Sequence, residues 1–274
     1  MPEMPEVETI RQQLAEKIIG CLITDVTISL PRLFKWPTAN EVKAYLIHQK
    51  IIGIKRRGKY LLLKLSNEHF LVIHLRMTGR LLYQAKNQKH DPYTRIVFHL
   101  DKDKELLYAD TRTLGTLYVM SEQELTNISG LTSMGPEPLT AEFTLDYLTQ
   151  LLAKRHGKIK ALLLNQQAIG GLGNIYADEC LALAGIDPER LASDLLPIEV
   201  EKLHTAVNQV IKEAIEDGGT TFRDYKNSEG VSGTHQHRLL VYGRNGQPCR
   251  RCGELILKKI VAGRGSHYCP QCQH

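Results

Sequence analysis

The chain has 274 residues, 42% of them hydrophobic and 24% charged, enough for one generous core or two ordinary ones and outside the range of a disordered chain. No apolar run approaches the roughly 20 residues of a membrane span, and the acidic, proline-punctuated start Met1-Pro2-Glu3-Met4-Pro5-Glu6 lacks the features of a secretory leader, so a cytoplasmic protein is expected. The net charge of +5 is concentrated: residues 236–274 hold seven Lys/Arg and one acid, a local +6, against −1 for the other 235, which points to a polyanionic partner.

The first predicted element is a helix over residues 5–19. Pro5 suits its first turn, Glu6 and Glu8 suit its positive start, and Ile10, Leu14 and Ile18 recur every four residues. The next hundred residues carry short apolar runs at Ile23–Leu30, Tyr60–Leu65, Phe70–Leu75, Arg95–Leu100 and Thr116–Met120. Turn-prone pieces such as Ser66-Asn67 and Asp101-Lys102-Asp103 separate them, the pattern of an antiparallel sandwich or barrel. Met134-Gly135-Pro136-Glu137-Pro138 propagates neither helix nor central strand and reads as an interdomain linker.

Beyond it the period becomes helical. One helix is marked by Phe143, Leu148 and Leu151, a second covers Ile159–Asn165, and a third covers Ile175–Ala184. The longest carries Val200, Leu203, Val207, Ile211 and Ile215 and stops at Gly218-Gly219. The expected fold class is therefore α+β and multidomain. It divides into an N-terminal antiparallel β-sandwich with a leading helix over 1–129, a linker over 130–139, a helical domain over 140–236 and a zinc finger over 237–274.

Four of the six cysteines, Cys249, Cys252, Cys269 and Cys272, form two C-x2-C pairs sixteen residues apart, the spacing of tetrahedral thiolate ligation of zinc. Two disulfides are the competing reading, which a reducing cytosol disfavours. Four thiolates close the shell, so the ion is expected to be structural. Cys21 and Cys180 read as buried small apolar residues.

Proline at position 2 favours removal of Met1, which would leave Pro2 with a secondary amine ionising near pH 8, nucleophilic at neutral pH. Attack of that amine on a sugar C1′ gives an iminium, an electron sink that favours elimination, and the neighbouring Glu3 can act as a proton donor. With Met1 attached, the same nitrogen is a tertiary amide and cannot do this. Taken alone, the segment is better read as a capped helix start with incidental acids.

The motifs go further. Met1–Arg11 (MPEMPEVETIR) resembles the start of the formamidopyrimidine-DNA glycosylase (Fpg) branch of the Fpg/Nei family, with Met4 in place of leucine. Blocks similar to family motifs follow in the same order: Arg56–Leu61, His74–Met77, Gly135–Leu139, Gly171–Tyr176, Val241–Arg244 and the terminal finger with Ala262–Gly265. The resemblance spans nearly the whole chain. It implies a bifunctional glycosylase and lyase that excises 8-oxoguanine and formamidopyrimidines from double-stranded DNA and cuts at abasic sites by β,δ-elimination. A helix–two-turns–helix in the helical domain, one structural Zn2+, no organic cofactor, and a monomer working in the bacterial cytoplasm at the nucleoid are also implied.

Carried over by position, Pro2 is the Schiff-base nucleophile, Glu3 the general acid, and Lys59 and Arg264 the cations assisting β- and δ-elimination. Met77, Arg112 and Leu114 match the side chains that fill the gap left by an everted nucleotide. Tyr93, Arg155, Lys160 and Asn174 match further DNA contacts, with the loop Gly170–Gly173 directing backbone N–H groups at a phosphate. Glu6, Thr220, Arg223 and Tyr225 match the lesion pocket. The chain departs from the pattern at Leu114, where phenylalanine is usual, at Tyr93-Thr94-Arg95, where many relatives have His-x-His, and at Thr78, where some have glutamate.

Three other readings compete. An endonuclease VIII-like glycosylase for oxidised pyrimidines shares the fold and nucleophile, but the Pro-Glu-Val-Glu-Thr start and the Gly-Pro-Glu-Pro-Leu block favour the purine branch. A non-catalytic binder of damaged DNA would need no nucleophile, and a zinc-ribbon transcription factor leaves the N-terminus unexplained.

Overall fold

The computed structural model describes residues 1–222 and 225–274. Its contacts divide the chain into two compact units, Met1–Thr132 with Asp217–Thr234, and Ser133–Glu216 with His235–His274.

The first unit opens with α1 (Met4–Ile18), which Pro5 starts and whose buried face is Val7, Ile10, Leu14 and Ile18. Then come β1 (Ile23–Ile28), β2 (Phe34–Trp36), α2 (Ala39–Leu46), β3 (Ile51–Arg57), β4 (Tyr60–Leu65), β5 (His69–His74), β6 (Gly79–Ala85), β7 (Thr94–Leu100), β8 (Lys104–Asp110), β9 (Thr116–Ser121) and the single turn α3 (Ser129–Thr132). The strands form a four-stranded sheet, β1-β7-β8-β6, and a five-stranded sheet, β2-β9-β5-β4-β3. One core joins them: Val26, Ile96, Phe98 and Leu106 from the first sheet pack with Leu61, Leu63, Ile73 and Leu117 from the second and with the apolar face of α1. This is the expected sandwich with one correction, since the short β2 pairs parallel with β9. The strands that sequence reading missed, β3, β6 and β8 above all, carry too many charged residues or too unbroken a run to show clean alternation.

The second unit contains α4 (Leu145–Ala153), α5 (Ile159–Leu164), α6 (Asn174–Ala184), α7 (Pro197–Glu216) and the hairpin β10 (Leu257–Val261) and β11 (Arg264–Tyr268). Helix α6 ends on Gly185 in the left-handed conformation, φ 77°, where a Cβ would be strained.

Two expected boundaries move. The stretch read as a linker is not free chain: Gly135 N–H donates to Gln166 O (2.9 Å) and Gly170 N–H to Pro136 O (2.9 Å), which makes residues 133–139 part of the second unit. Residues 217–234, expected in the helical domain, belong instead to the first unit. Their ties there include Tyr83 N–H to Ser228 O (2.8 Å) and Thr220 N–H to Glu6 Oε1 (2.7 Å).

Candidate active site

The start of α1 is built from two carboxylates. Glu3 and Glu6 form a reciprocal capping box, in which Glu6 Oε2 accepts from Glu3 N–H at 2.7 Å and the Glu3 carboxylate accepts from the Glu6 N–H. The other oxygen of Glu6 accepts from Thr220 N–H, 214 residues away. Pro2, Glu3 and Glu6 are all buried, while Met1 is 48% exposed. Tyr225 is 6% exposed and its hydroxyl donates to Gly218 O (3.1 Å) and Glu6 O (3.4 Å). Burial, and then the charge of Glu6, push that phenol well above its ordinary range, so it stays neutral.

Three of the four residues expected to line a lesion pocket, Glu6, Thr220 and Tyr225, are thus brought together. The Thr220 N–H and the Tyr225 hydroxyl both bond to Glu6 at the start of α1, and the tyrosine ring packs with the core. Arg223 lies outside the described residues.

Lys59 occupies a two-residue turn between β3 and β4, with Arg57 paired to Tyr60 and Gly58 at φ 53°. That turn is tied to α1 by an ion pair. Arg56 Nε donates to Glu8 Oε2 (3.0 Å) and Arg56 Nη1 to Gly58 O (3.0 Å), and Arg11 holds the other side of Glu8 at 2.7 Å. Burial pulls the Glu8 carboxyl upward, but the hydrogen bonds of Arg11 and Arg56 outweigh it and keep it below its usual value. Next to the turn, buried His74 meets the Tyr60 ring edge-on at 4.5 Å and accepts Arg76 N–H at Nδ1 (3.0 Å). Burial, followed by the charges of Arg76 and Lys59, pushes its imidazole down to about 3, so it is neutral at physiological pH.

The side chains expected to enter DNA are exposed. Met77 and Leu114 are 39% and 47% accessible, so neither fills the core. They line one cleft of about 520 Å³ together with Met1, Arg32, Lys35 and Arg76, so the chain terminus, two apolar tips and three cations share a wall. Arg112 is exposed on the same loop as Leu114, and Tyr93 is exposed with the Arg95 guanidinium 5.9 Å above its ring. Thr78, by contrast, is buried and donates to Asp110 (2.6 Å).

In the second unit Arg155 and Arg264 are exposed. Arg264 begins β11 directly after a two-residue turn in which Ala262 and Gly263 both have positive φ, 51° and 70°. Lys160 is a correction. It was expected at a DNA surface, yet its side chain is 0% exposed, paired with Asp178 at 2.6 Å and donating to Ser266 Oγ at 2.6 Å. An ammonium so enclosed cannot reach a phosphate; it holds the base of the Arg264 turn. Asn174, half-buried at the start of α6, donates one of its two amide N–H bonds to Gly265 O (3.0 Å). The N–H groups of Gly170 and Gly171 are taken by Pro136 O and Gln166 Oε1, so these two glycines shape a turn rather than offer donors to an anion.

Sequence reading also missed the residues that organise this region. Asp178 accepts His267 N–H (2.8 Å) besides holding Lys160, and Glu179 accepts the successive N–H groups of Leu240, Val241 and Tyr242 at 2.6–3.0 Å. Burial raises the Glu179 carboxyl, against the pull of those three donors. The signal was two adjacent acids inside an otherwise apolar helix, which are tolerated there only when satisfied.

The four cysteine sulfurs of the finger lie within 4.8 Å of one another, with Cys249–Cys272 at 3.9 Å and Cys252–Cys269 at 3.5 Å. A tetrahedral zinc with Zn–S near 2.3 Å needs S–S edges of roughly 3.8 Å, so the donor set fits one structural ion.

Comparison with known proteins gives a consistent picture. Three family models match in order: "Formamidopyrimidine-DNA glycosylase N-terminal domain" over residues 1–117, "Formamidopyrimidine-DNA glycosylase H2TH domain" over 134–226 and "Zinc finger found in FPG and IleRS" over 246–274. The formamidopyrimidine-DNA glycosylase of Pelotomaculum thermopropionicum is 45% identical over 273 residues, covering 100% of this chain and 99% of that protein. The one from Geobacillus kaustophilus is 44% identical over 274 residues, 100% of both. Among solved structures, the complex of Lactococcus lactis Fpg with DNA containing an abasic site has a TM-score of 0.93 at 36% identity, covering 100% of both chains.

Proposed function

The chain belongs to the formamidopyrimidine-DNA glycosylase family, and from that premise we propose that it excises oxidised purines from double-stranded DNA and cleaves the resulting abasic site. The observation that carries the mechanism is the start of α1. Pro2 and Glu3 are adjacent and buried at a helix cap, Lys59 lies on a turn tied to that helix through Arg56, and Met1 opens into the cleft of Met77 and Leu114.

Once Met1 is removed, the Pro2 nitrogen attacks C1′ of the damaged nucleotide. The base leaves with the C1′–N bond electrons and takes a proton, the sugar ring opens with Glu3 protonating O4′, and an iminium remains on Pro2. Loss of a C2′ proton then expels the 3′ phosphate, and a second elimination expels the 5′ phosphate. Lys59 and Arg264 offset the charge of the departing phosphates in these two steps. Hydrolysis of the iminium returns the amine. Cys249, Cys252, Cys269 and Cys272 would hold a zinc ion with all four of their thiolates, so its contribution would be to stabilise the hairpin that carries Arg264 rather than to the chemistry.

Met77, Arg112 and Leu114 fill the space of the extruded nucleotide, and Tyr93 and Arg155 contact the backbone. Lactococcus lactis Fpg has also been solved with DNA containing an oxidised pyrimidine, so the selectivity proposed here is a preference for purines rather than an exclusion of pyrimidines. The protein acts as a monomer in the bacterial cytoplasm, at the nucleoid.

Borohydride reduction during turnover on an 8-oxoguanine duplex tests this directly. A covalent protein–DNA adduct is expected with the processed chain and none with Pro2→Ala. Equal trapping by that variant, or faster excision of thymine glycol than of 8-oxoguanine, overturns the reading.

A further inference from the structure

The DNA-facing candidates of the first unit lie on three separate loops, yet every loop returns to one buried residue, Asp110. Its Oδ1 accepts from Thr78 Oγ1 (2.6 Å) and from Arg112 N–H (3.2 Å), and Thr78 Oγ1 itself accepts from Arg112 N–H (3.0 Å). Its Oδ2 accepts from Gly115 N–H (2.9 Å) and the Tyr108 hydroxyl (3.3 Å). Through its backbone it donates to Tyr93 O (3.0 Å) and accepts from Arg95 Nε (3.1 Å). Asp110 is 0% exposed, so it cannot itself touch a ligand in this structure.

We infer that Asp110 is a positioning residue. It fuses the β5–β6 loop, carrying Met77, and the β8–β9 loop, carrying Arg112 and Leu114, into one rigid wedge, an inference that rests on the glycosylase reading above. The chemistry of the link explains the residue type. Its four side-chain donors are two hydroxyls and two backbone N–H groups, and backbone N–H groups can only donate, so a carboxylate, which only accepts, suits both sides at once.

The packing is equally specific. A Cβ on Gly115 would lie 1.6 Å from the Tyr108 hydroxyl, and one on Gly79 would lie 2.7 Å from it, so both loops are pared down to close around the Tyr108–Asp110 pair. Arg76 and Thr113, the residues preceding Met77 and Leu114, both have positive φ, 55° and 54°. Non-glycine residues hold that conformation only where surrounding bonds fix it. A wedge must enter the stack with both tips in register, and misplacement by about 1 Å can cost about a hundredfold in rate.

The test compares excision of 8-oxoguanine from a duplex with elimination at an abasic site in a single-stranded oligonucleotide, where no stack needs opening. Asp110→Ala is expected to slow duplex excision about a hundredfold, at the scale of such a misplacement. Thr78→Val keeps the shape but removes the bridge, and is expected to cost about tenfold. In both variants single-strand elimination should stay within about twofold, and Thr78→Ser should restore duplex excision. A 2-aminopurine opposite the lesion should show a correspondingly weaker fluorescence rise in Thr78→Val. Unchanged duplex excision, or equal losses on both substrates with Thr78→Val, overturns the proposal. A chain without substitutions that begins at Pro2 and excises nothing overturns the glycosylase reading, and this proposal with it.

Discussion

The two units place their functional groups by different physics. In the first, a single apolar core spans two sheets and a helix, and buried carboxylates merely aim loops: Glu6 and Asp110 accept from neutral N–H and hydroxyl donors. In the second, the helices bury their own apolar core, with Leu148, Leu163, Ile169, Leu203, Val207 and Ile211 among its residues, but the finger rests on a small separate cluster of Ala182, Val241, Ile256 and Cys269. There the hairpin bearing Arg264 is held by an enclosed Lys160–Asp178 pair and by four thiolates, and Glu179 fixes the preceding segment through the N–H groups of Leu240, Val241 and Tyr242. The loops of the first unit sit over a broad core that leaves their polar groups free to specify geometry, whereas the finger, over a small cluster, needs its polar groups for stability as well.

Removing zinc should therefore have the largest and most one-sided effect. Metal binding contributes roughly 10–16 kcal/mol in isolated zinc-finger peptides. Chelation is expected to abolish amide protection in residues 257–268 and weaken DNA binding more than a hundredfold, while protection in α1 and β4–β5 persists. Parallel loss in both units by hydrogen-exchange mass spectrometry would erase the distinction.

Lys160→Met comes next. Leaving Asp178 buried without its partner should cost about 3–5 kcal/mol, read by denaturant unfolding, and should loosen β11. A phosphate contact would behave otherwise: it would flatten the salt dependence of DNA binding and leave stability nearly untouched, as expected for exposed Arg155→Ala.

The smallest effect is a pH dependence confined to the first unit. His74 is neutral when folded and titrates near 3, whereas the unfolded residue titrates near 6.5. Between those values the unfolded chain binds the extra proton, so stability falls as pH drops, by at most about 1.4 kcal/mol per pH unit. The slope of Tm against pH from 6.5 to 5 should shrink in His74→Phe. An unchanged slope would show that the histidine does not supply it.

The sequence by itself determined whatever depends on local spacing. The C-x2-C pairs gave the zinc site, and four-residue periodicity gave α1 and the long helix α7. The family motifs named Pro2 and Glu3 as neighbours at a helix start, where they are. Tertiary structure decided what depends on a partner far along the chain. It buried Lys160 by supplying Asp178, and it turned Glu6, Thr220 and Tyr225 into the fastening of a segment that returns to the first unit. It also made Asp110, unremarked at the end of an apolar strand, the common anchor of three loops. A buried charge is decided by the neighbour that satisfies it, and that neighbour is chosen by the fold rather than by adjacency in the chain.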